Sequence, residues 1–300
     1  MENTINPTHK AGFVNIIGKP NVGKSTLMNS LVGERLSIIT SKAQTTRHRI
    51  LGIVNGDDFQ IVYSDTPGII RPAYKMQEAM MRFVSDSLED ADILLIMSDV
   101  QETKEAMEEI AARINPLKIP AKLFLLNKAD LLPDDEVSAI LEQWKQLLQA
   151  DSYMAISALK GDNLGQLFDQ IISRLPISPP YYPDKEALTD RPERFFMSEI
   201  IREKILLNYK QEIPYSVEVM IDSFKEEEDI VRISSIIFCN RPSQKPILIG
   251  HAGKNLKKVG TQARIDMEKF LAKKVFLQLY VKVKEGWRDS DVLLKNMGYE

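Results

Sequence analysis

Apolar residues fall along the chain in two kinds of segment. Short apolar runs with strand character occupy residues 13–17, 60–63, 92–97, 122–126 and 153–156. Between them, residues 25–32, 73–88, 104–114, 135–148 and 164–174 repeat apolar positions at helical spacing. That alternation predicts an α/β domain, a mainly parallel sheet with helices on both faces. Residues 49–54 predict one further strand, at an antiparallel edge. The segment 175–190 reads LPISPPYYPDKEALTD, and Pro176, Pro179, Pro180 and Pro183 break its periodicity, as in a semi-rigid connector. Beyond it the order is helix (194–207), strand (216–221), strand (230–239), helix within 245–260, helix (261–271) and strand (275–283), a smaller α+β pattern. The expected division is a first domain over 1–176, a linker over 177–192 and a second domain over 193–300.

Composition fits that outline. The chain has 300 residues, 44% hydrophobic and 27% charged, which excludes a largely disordered protein. One cysteine, Cys239, excludes a disulfide framework and any multi-cysteine metal site; on a predicted strand it reads as core. The opening MENTINPTHKAGF has no basic stretch leading into an apolar run, and no apolar run is long enough to span a bilayer, so a cytoplasmic location is expected. Net charge is −3, split as −5 over residues 1–180 and +2 over 181–300; within the latter, residues 231–284 reach +10. A local excess of that size suits a polyanion, although a solvated basic face would look the same.

The candidate chemistry sits just after the predicted strands. Gly18-Lys19-Pro20-Asn21-Val22-Gly23-Lys24-Ser25, followed by Thr26, fits G-x-x-x-x-G-K-[ST] between a strand and a helix. Its backbone N–H groups and the helix N-terminus would hold phosphates, Lys24 would reach the β/γ-phosphates, and Ser25 would ligate Mg²⁺. Asp65-Thr66-Pro67-Gly68 ends the next strand; Asp65 would hold Mg²⁺ and the Gly68 N–H would meet a γ-phosphate. Asn127-Lys128-Ala129-Asp130 follows the strand over 122–126. The Asp130 carboxylate would accept from two guanine donors that adenine lacks, Asn127 would brace the loop, and Lys128 would lie over the base. Ser157-Ala158-Leu159 would place backbone N–H groups near the guanine oxygen. Alone, the phosphate-loop pattern has a chance match as its alternative, Asp65–Gly68 a turn, Asp130 a helix N-cap, and Ser157–Leu159 carries almost no signal. Four in order on one sheet edge make a GTP site.

In these motifs the domain resembles the Ras-like GTPases of the translation-factor class. The resemblance implies a mobile segment over 37–49 (SIITSKAQTTRHR), with Thr46, or else Thr45, completing the Mg²⁺ shell. Signalling GTPases place a water-orienting glutamine after the DTPG-type motif; here that position is Ile69, which predicts slow intrinsic hydrolysis. Asn21 fits the asparagine that related GTPases use to help bind K⁺ beside the phosphates.

The basic stretch contains Ile249-Gly250-His251-Ala252-Gly253-Lys254-Asn255, followed by Lys257, Lys258 and Arg264. A GxxG loop lets a nucleic-acid backbone approach where no Cβ intervenes. Together with the α-β-β-α-α-β order it predicts a type II KH domain, in which Lys254, Lys257, Lys258 and Arg264 meet phosphates and a groove holds unstacked bases. His251 reads as a solvent-facing loop residue and Trp287 as a buried core residue.

GKPNVGKST, KAQTTRHR, DTPG, NKAD and SAL, then a connector and a KH domain ending VKVKEGW, are similar over essentially the whole chain to the Era family of bacterial GTPases. That resemblance implies a GTP-hydrolysing switch using GTP/GDP and Mg²⁺. It implies binding to the 3′ end of small-subunit ribosomal RNA, a role in 30S-type subunit maturation, peripheral association with the inner membrane, and a monomer. Two rivals keep the same motifs: a constitutive RNA-binding scaffold, and a metabolic or RNA-modifying GTPase that its KH domain merely docks.

Overall fold

The apolar runs of the first half pair into one sheet of six strands: β1 (Lys10–Gly18), β2 (Ile50–Asn55), β3 (Phe59–Asp65), β4 (Ile93–Asp99), β5 (Ala121–Asn127) and β6 (Ser152–Ala155). Their order is β2-β3-β1-β4-β5-β6; every pair is parallel except β2/β3, so the expected antiparallel edge strand is present. The helices between them are α1 (Lys24–Val32), α2 (Lys75–Glu89), α3 (Lys104–Ile114), α4 (Asp134–Leu147) and α5 (Leu164–Arg174). β5 is buried at every position, which explains why its sequence shows a continuous apolar run and no alternation. One core cluster packs Leu94, Ile96, Phe124 and Leu126 of the sheet against Met107, Ile110 and Trp144 of α3 and α4.

This computed structural model describes residues 8–40 and 42–299. The reading of the first seven residues as free of an export signal therefore lies outside the described residues, as does Ser41 of the expected mobile segment. Among the described residues no helix is long and apolar enough to cross a membrane.

The contacts separate the chain into two units. The first holds residues up to Ser37, Thr46–Arg71 and Met80–Asp190; the second holds Ile38–Thr45, Pro72–Ala79 and the chain from Arg191 onward. The proline-rich stretch that reads as a connector is bonded into the first unit up to Asp190. The Ala11 N–H donates to the Pro176 carbonyl (3.1 Å), the Ser178 N–H to the His9 carbonyl (3.0 Å) and the Ile53 N–H to the Leu188 carbonyl (2.8 Å). Gln60 accepts from the Tyr181 and Tyr182 N–H groups and donates to the Tyr182 carbonyl. Proline lacks a donor but keeps its carbonyl, so such a strap can still satisfy the sheet's N–H groups.

The second unit contains α6 (Glu193–Asn208), β7 (Val217–Glu226), β8 (Ile230–Cys239), α7 (Gln244–Ile249), α8 (Lys254–Leu271), β9 (Lys274–Val283) and α9 (Asp291–Asn296). Its sheet runs β7-β8-β9, antiparallel then parallel. α6 packs on β7, and α7 and α8 pack on β9. The expected helix break near Gly260 is a correction: α8 runs straight through that residue, and the break lies at 250–253. Gly250 and Gly253 have positive φ (73° and 75°) and interrupt the helical path, whereas Gly260 lies within α8 and closely approaches Leu279. β7 extends past the expected Ile221, through a register shift between Ile221 and Ser223. Cys239 is buried, and Trp287 is fully buried with its Nε1–H donating to the Ser216 carbonyl at 3.3 Å.

Candidate functional site

The loop from β1 to α1 is shaped by glycines at points of close approach. A Cβ on Gly18 would lie 2.3 Å from the Met97 carbonyl oxygen, and one on Gly23 would lie 2.2 Å from Asn127 Nδ2. Gly68 meets the same loop: a Cβ there would be 2.6 Å from the Pro20 nitrogen, and the next residue, Ile69, donates its N–H to the Gly18 carbonyl at 3.0 Å. Asn21 is exposed with φ 67°. Lys24 is buried inside this cradle and donates to the carbonyls of Lys19 (2.8 Å) and Gly18 (3.1 Å). Burial lowers its pKa to about 8, against a smaller opposing effect of Asp65. Those are ordinary acceptors for an ammonium aimed at the space where loop N–H groups gather around phosphate.

Three oxygens converge beside it. Asp65 Oδ2 accepts from Ser25 Oγ at 2.7 Å and from Thr46 Oγ1 at 3.2 Å, and the two hydroxyls are 2.9 Å apart. Burial raises the Asp65 pKa, opposed by the Ser25 hydrogen bond and the charge of Lys24. Its other oxygen, Oδ1, is buried with no hydrogen-bond partner. A buried carboxylate with a spare oxygen next to two hydroxyls fits Mg²⁺, which takes few protein oxygens and keeps water and phosphate oxygens for the rest. No group of three or more His, Cys, Asp or Glu side chains suited to a metal exists among the described residues, so the fit is to a phosphate-bound ion and not to an all-protein cage. Thr46 is the residue in this cluster. The Thr45 hydroxyl bonds instead to the Lys42 carbonyl and the Thr40 hydroxyl, both at 2.7 Å.

The base-reading loops are tied to the phosphate loop by one side chain. Asn127 Nδ2 donates to the Val22 carbonyl at 2.7 Å, and its Oδ1 accepts from the Ala158 N–H at 2.9 Å. Ser30 of α1 adds a bond to the Ala158 carbonyl at 3.0 Å. Lys128 sits in the left-handed region and pairs with Asp99 at 2.6 Å. Hydrogen bonding from Ser157, then Lys160, holds the Asp130 carboxyl below the usual range; Lys160 Nζ is 3.2 Å away. A carboxylate kept ionised is the acceptor that a pair of guanine donors needs. Leu159 is largely exposed. Thr66 donates to the Ile16 carbonyl at 2.8 Å, and Pro67 is buried. Asp99 and Lys160 belong to the site without having carried any motif in the sequence; only their pairing with Lys128 and Asp130 reveals them.

In the second unit the GxxG turn links α7 to α8. His251, Ala252, Lys254, Asn255, Lys257 and Lys258 are exposed. A Cβ on Gly250 would lie 2.6 Å from Asn255 Cγ, while nothing lies within 4 Å of one on Gly253. Gly253 is therefore left-handed and open, as close approach of another backbone requires. Asn255 donates to the Ile247 carbonyl at 3.1 Å and so supports the loop. A groove between α8 and β9 is lined by Gly253, Leu256, Lys257, Gly260, Thr261, Arg264, Leu277 and Leu279. Of the expected contact residues, Gly253, Lys257 and Arg264 line it; Ile249, Gly250, His251, Ala252, Lys254, Asn255 and Lys258 do not. Arg264 is also paired with Glu268 at 2.7 Å. The apolar walls Leu256, Leu277 and Leu279 were missed because in sequence they read as ordinary core positions.

Comparison with known proteins agrees with this geometry. Residues 13–128 match the family described as 50S ribosome-binding GTPase, and residues 212–288 match the KH domain. The chain is 44% identical to GTPase Era of Staphylococcus epidermidis, with 97% of each chain covered. It is 42% identical to an ERA-like chloroplastic GTPase of Arabidopsis thaliana, covering 100% of this chain and 71% of that one. A crystal structure of Era with MgGDPNP and nucleotides 1506–1542 of 16S ribosomal RNA superposes with a TM-score of 0.92 at 39% identity, covering 97% of this chain and 99% of that one. With a nucleotide-binding sheet edge in one unit, a GxxG groove in the other and relatives of this identity over nearly the full length, the chain belongs to the Era family of GTPases.

Proposed function

We propose that the chain is a GTP-driven switch that binds the single-stranded 3′ end of small-subunit ribosomal RNA and assists maturation of the small subunit. The observation that carries the switch is the membership of Ile38–Thr45 in the second unit. There the Arg202 Nη2 donates to the Thr45 carbonyl at 2.5 Å, and the Lys42 ammonium donates to the carbonyls of Leu206 and Tyr209 at the end of α6. Thr45 is followed by Thr46, whose hydroxyl touches Asp65. A change at the γ-phosphate that moves Thr46 therefore pulls on a segment bonded to the KH unit. Pro72–Ala79 belongs to the same unit, where Arg288 stacks over the Tyr74 ring (4.6 Å) and Lys75 pairs with Asp291 (2.5 Å).

The RNA reading is supported by the open GxxG turn, the basic groove and the RNA-bound relative. Its test is binding of a labelled RNA matching the small-subunit 3′ end, in a GTP analogue and in GDP. Tighter binding with the analogue, lost in Gly253→Asp, is expected. Affinity that ignores the nucleotide would leave a constitutive scaffold.

In hydrolysis, Lys24 and the loop N–H groups hold the phosphates. Asp65, Ser25 and Thr46 would hold Mg²⁺, which supplies charge neutralisation at the β/γ-phosphates. The Ile69 side chain has no polar atom to orient water, so the intrinsic rate is slow. We assign Asn21 to a monovalent cation beside the phosphates; turnover in K⁺ should exceed turnover in Na⁺, and equal rates would remove that role. A cytoplasmic location rests on the sequence pattern alone, and a monomeric state and peripheral attachment to the inner membrane rest on the family likeness. Light scattering and flotation with anionic vesicles test the last two.

A further inference from the structure

Strand β9 is an edge strand that separates two surfaces. Its odd-numbered side chains face α8: Leu277 and Leu279 line the GxxG groove, and Val275 and Val281 are buried. Its even-numbered side chains turn to the other face of the sheet. There Phe276 is 45% exposed and Tyr280 50% exposed.

The neighbours of those rings say what kind of partner. Phe276 is in register with Arg232, which is in register with Lys225; Gln278 lies beside Ser234, and Lys282 beside Phe238. The Arg232 guanidinium lies 5.5 Å from the Phe276 ring centroid and also pairs with Glu227 at 2.9 Å. The rings are therefore spaced apart, about 13 Å along the strand. Gln278 lies between them, Arg232 beside Phe276, and Lys282 two residues beyond Tyr280, whose cross-strand neighbour is Ile236, itself in register with Met220. A protein-docking patch would be contiguous and apolar. Separated rings on a basic, open sheet face are instead what stacks successive bases of a single strand. Continuity favours the same ligand: Leu277 in the groove and Phe276 outside it are adjacent residues, so an RNA strand leaving the groove has only the edge of β9 to cross.

We propose that the outer face of β9, centred on Phe276 and Tyr280, is a second contact for single-stranded RNA, taking bases of nucleotides that continue from the GxxG groove. This rests on the RNA-binding reading above and extends it to a surface outside the loop and groove. The test compares two labelled RNAs on the full chain, one of about six nucleotides that fills only the groove and one of about twenty. Phe276→Ala with Tyr280→Ala should weaken the long RNA about tenfold per ring and leave the short one unchanged, which also shows that the variant is folded. Tyr280→Phe, which keeps the ring, should bind the long RNA like the parent. Gly253→Asp should weaken both. Unchanged affinity for the long RNA, or equal loss on both RNAs, overturns the second contact alone. Failure of the parent chain to bind either RNA overturns the RNA reading together with it.

Discussion

Lys24 and Asp65 share one buried pocket, and burial works against both charges: the lysine falls to about 8 and the carboxyl is raised. Bound phosphates restore the preference of Lys24 for its proton. Below pH 8 the free protein already carries that proton; above it, binding must take one up. GDP affinity should thus be flat up to about pH 8 and then fall, approaching tenfold per pH unit, as read by calorimetry. Lys24→Met should bind weakly at all pH values and lose that slope. At the base, Asp130→Asn exchanges an acceptor pair for one acceptor and one donor. Loss of charge-assisted hydrogen bonds worth about 2–3 kcal/mol should weaken GDP roughly 30- to 160-fold, with xanthosine diphosphate gaining. A titration in which the preference does not move would take Asp130 out of base reading. The motif residues at this scale were legible because their spacing is fixed by the phosphate and the base. The choice between Thr45 and Thr46 was not. Adjacent side chains on an extended segment point opposite ways, and which one meets Asp65 depends on the path of the whole loop.

At the scale of elements, α8 and β9 make the groove, and Gly260 lies where they approach. A Cβ on Gly260 would sit 3.3 Å from Leu279 Cδ1. Leu279 lines an open groove and can swing aside, so Gly260→Ala should keep the helix-propensity gain of about 0.5–1 kcal/mol. The thermal midpoint of the second unit should rise by a few degrees while RNA affinity drops as the groove narrows. A variant that melts earlier would show that α8 cannot give way there. The sequence divides this region into 245–260 and a helix over 261–271. The structure keeps the helix because close packing against β9 outweighs the poor helix propensity of glycine. The strand–helix alternation of the first unit was legible throughout, since buried parallel strands leave unmistakable apolar runs. The short α9 was not, because six residues carry too little periodicity to read.

At the scale of the molecule, the proposed coupling runs through Ile38–Thr45, the segment that precedes Thr46 and belongs to the second unit. The Lys42 ammonium satisfies carbonyls at the end of α6, groups that a helix leaves without partners. Lys42→Met keeps the aliphatic stem and removes the donor. GDP affinity and basal hydrolysis should stay within about twofold, while the ratio of RNA affinities in GTP analogue and GDP falls toward one. A variant that keeps the full ratio would assign the coupling to Arg202 or to Pro72–Ala79 instead.

The sequence by itself determined the candidate chemistry: motifs for a phosphate loop, a metal-binding carboxylate, a guanine acceptor and a GxxG turn, each a short pattern whose residue types are dictated by the ligand it would hold. It also determined the two fold classes, because apolar periodicity records which faces are buried. Only the tertiary structure decided what long-range packing controls. It bound the proline-rich strap to the first unit, made Asn127 the tie between phosphate and base loops, and grouped Ile38–Thr45 with the KH unit. It also left Phe276 and Tyr280 open on the outer face of β9. A run such as VFLQLYV shows that a strand forms, but which of its two faces a helix covers depends on residues far away in the chain.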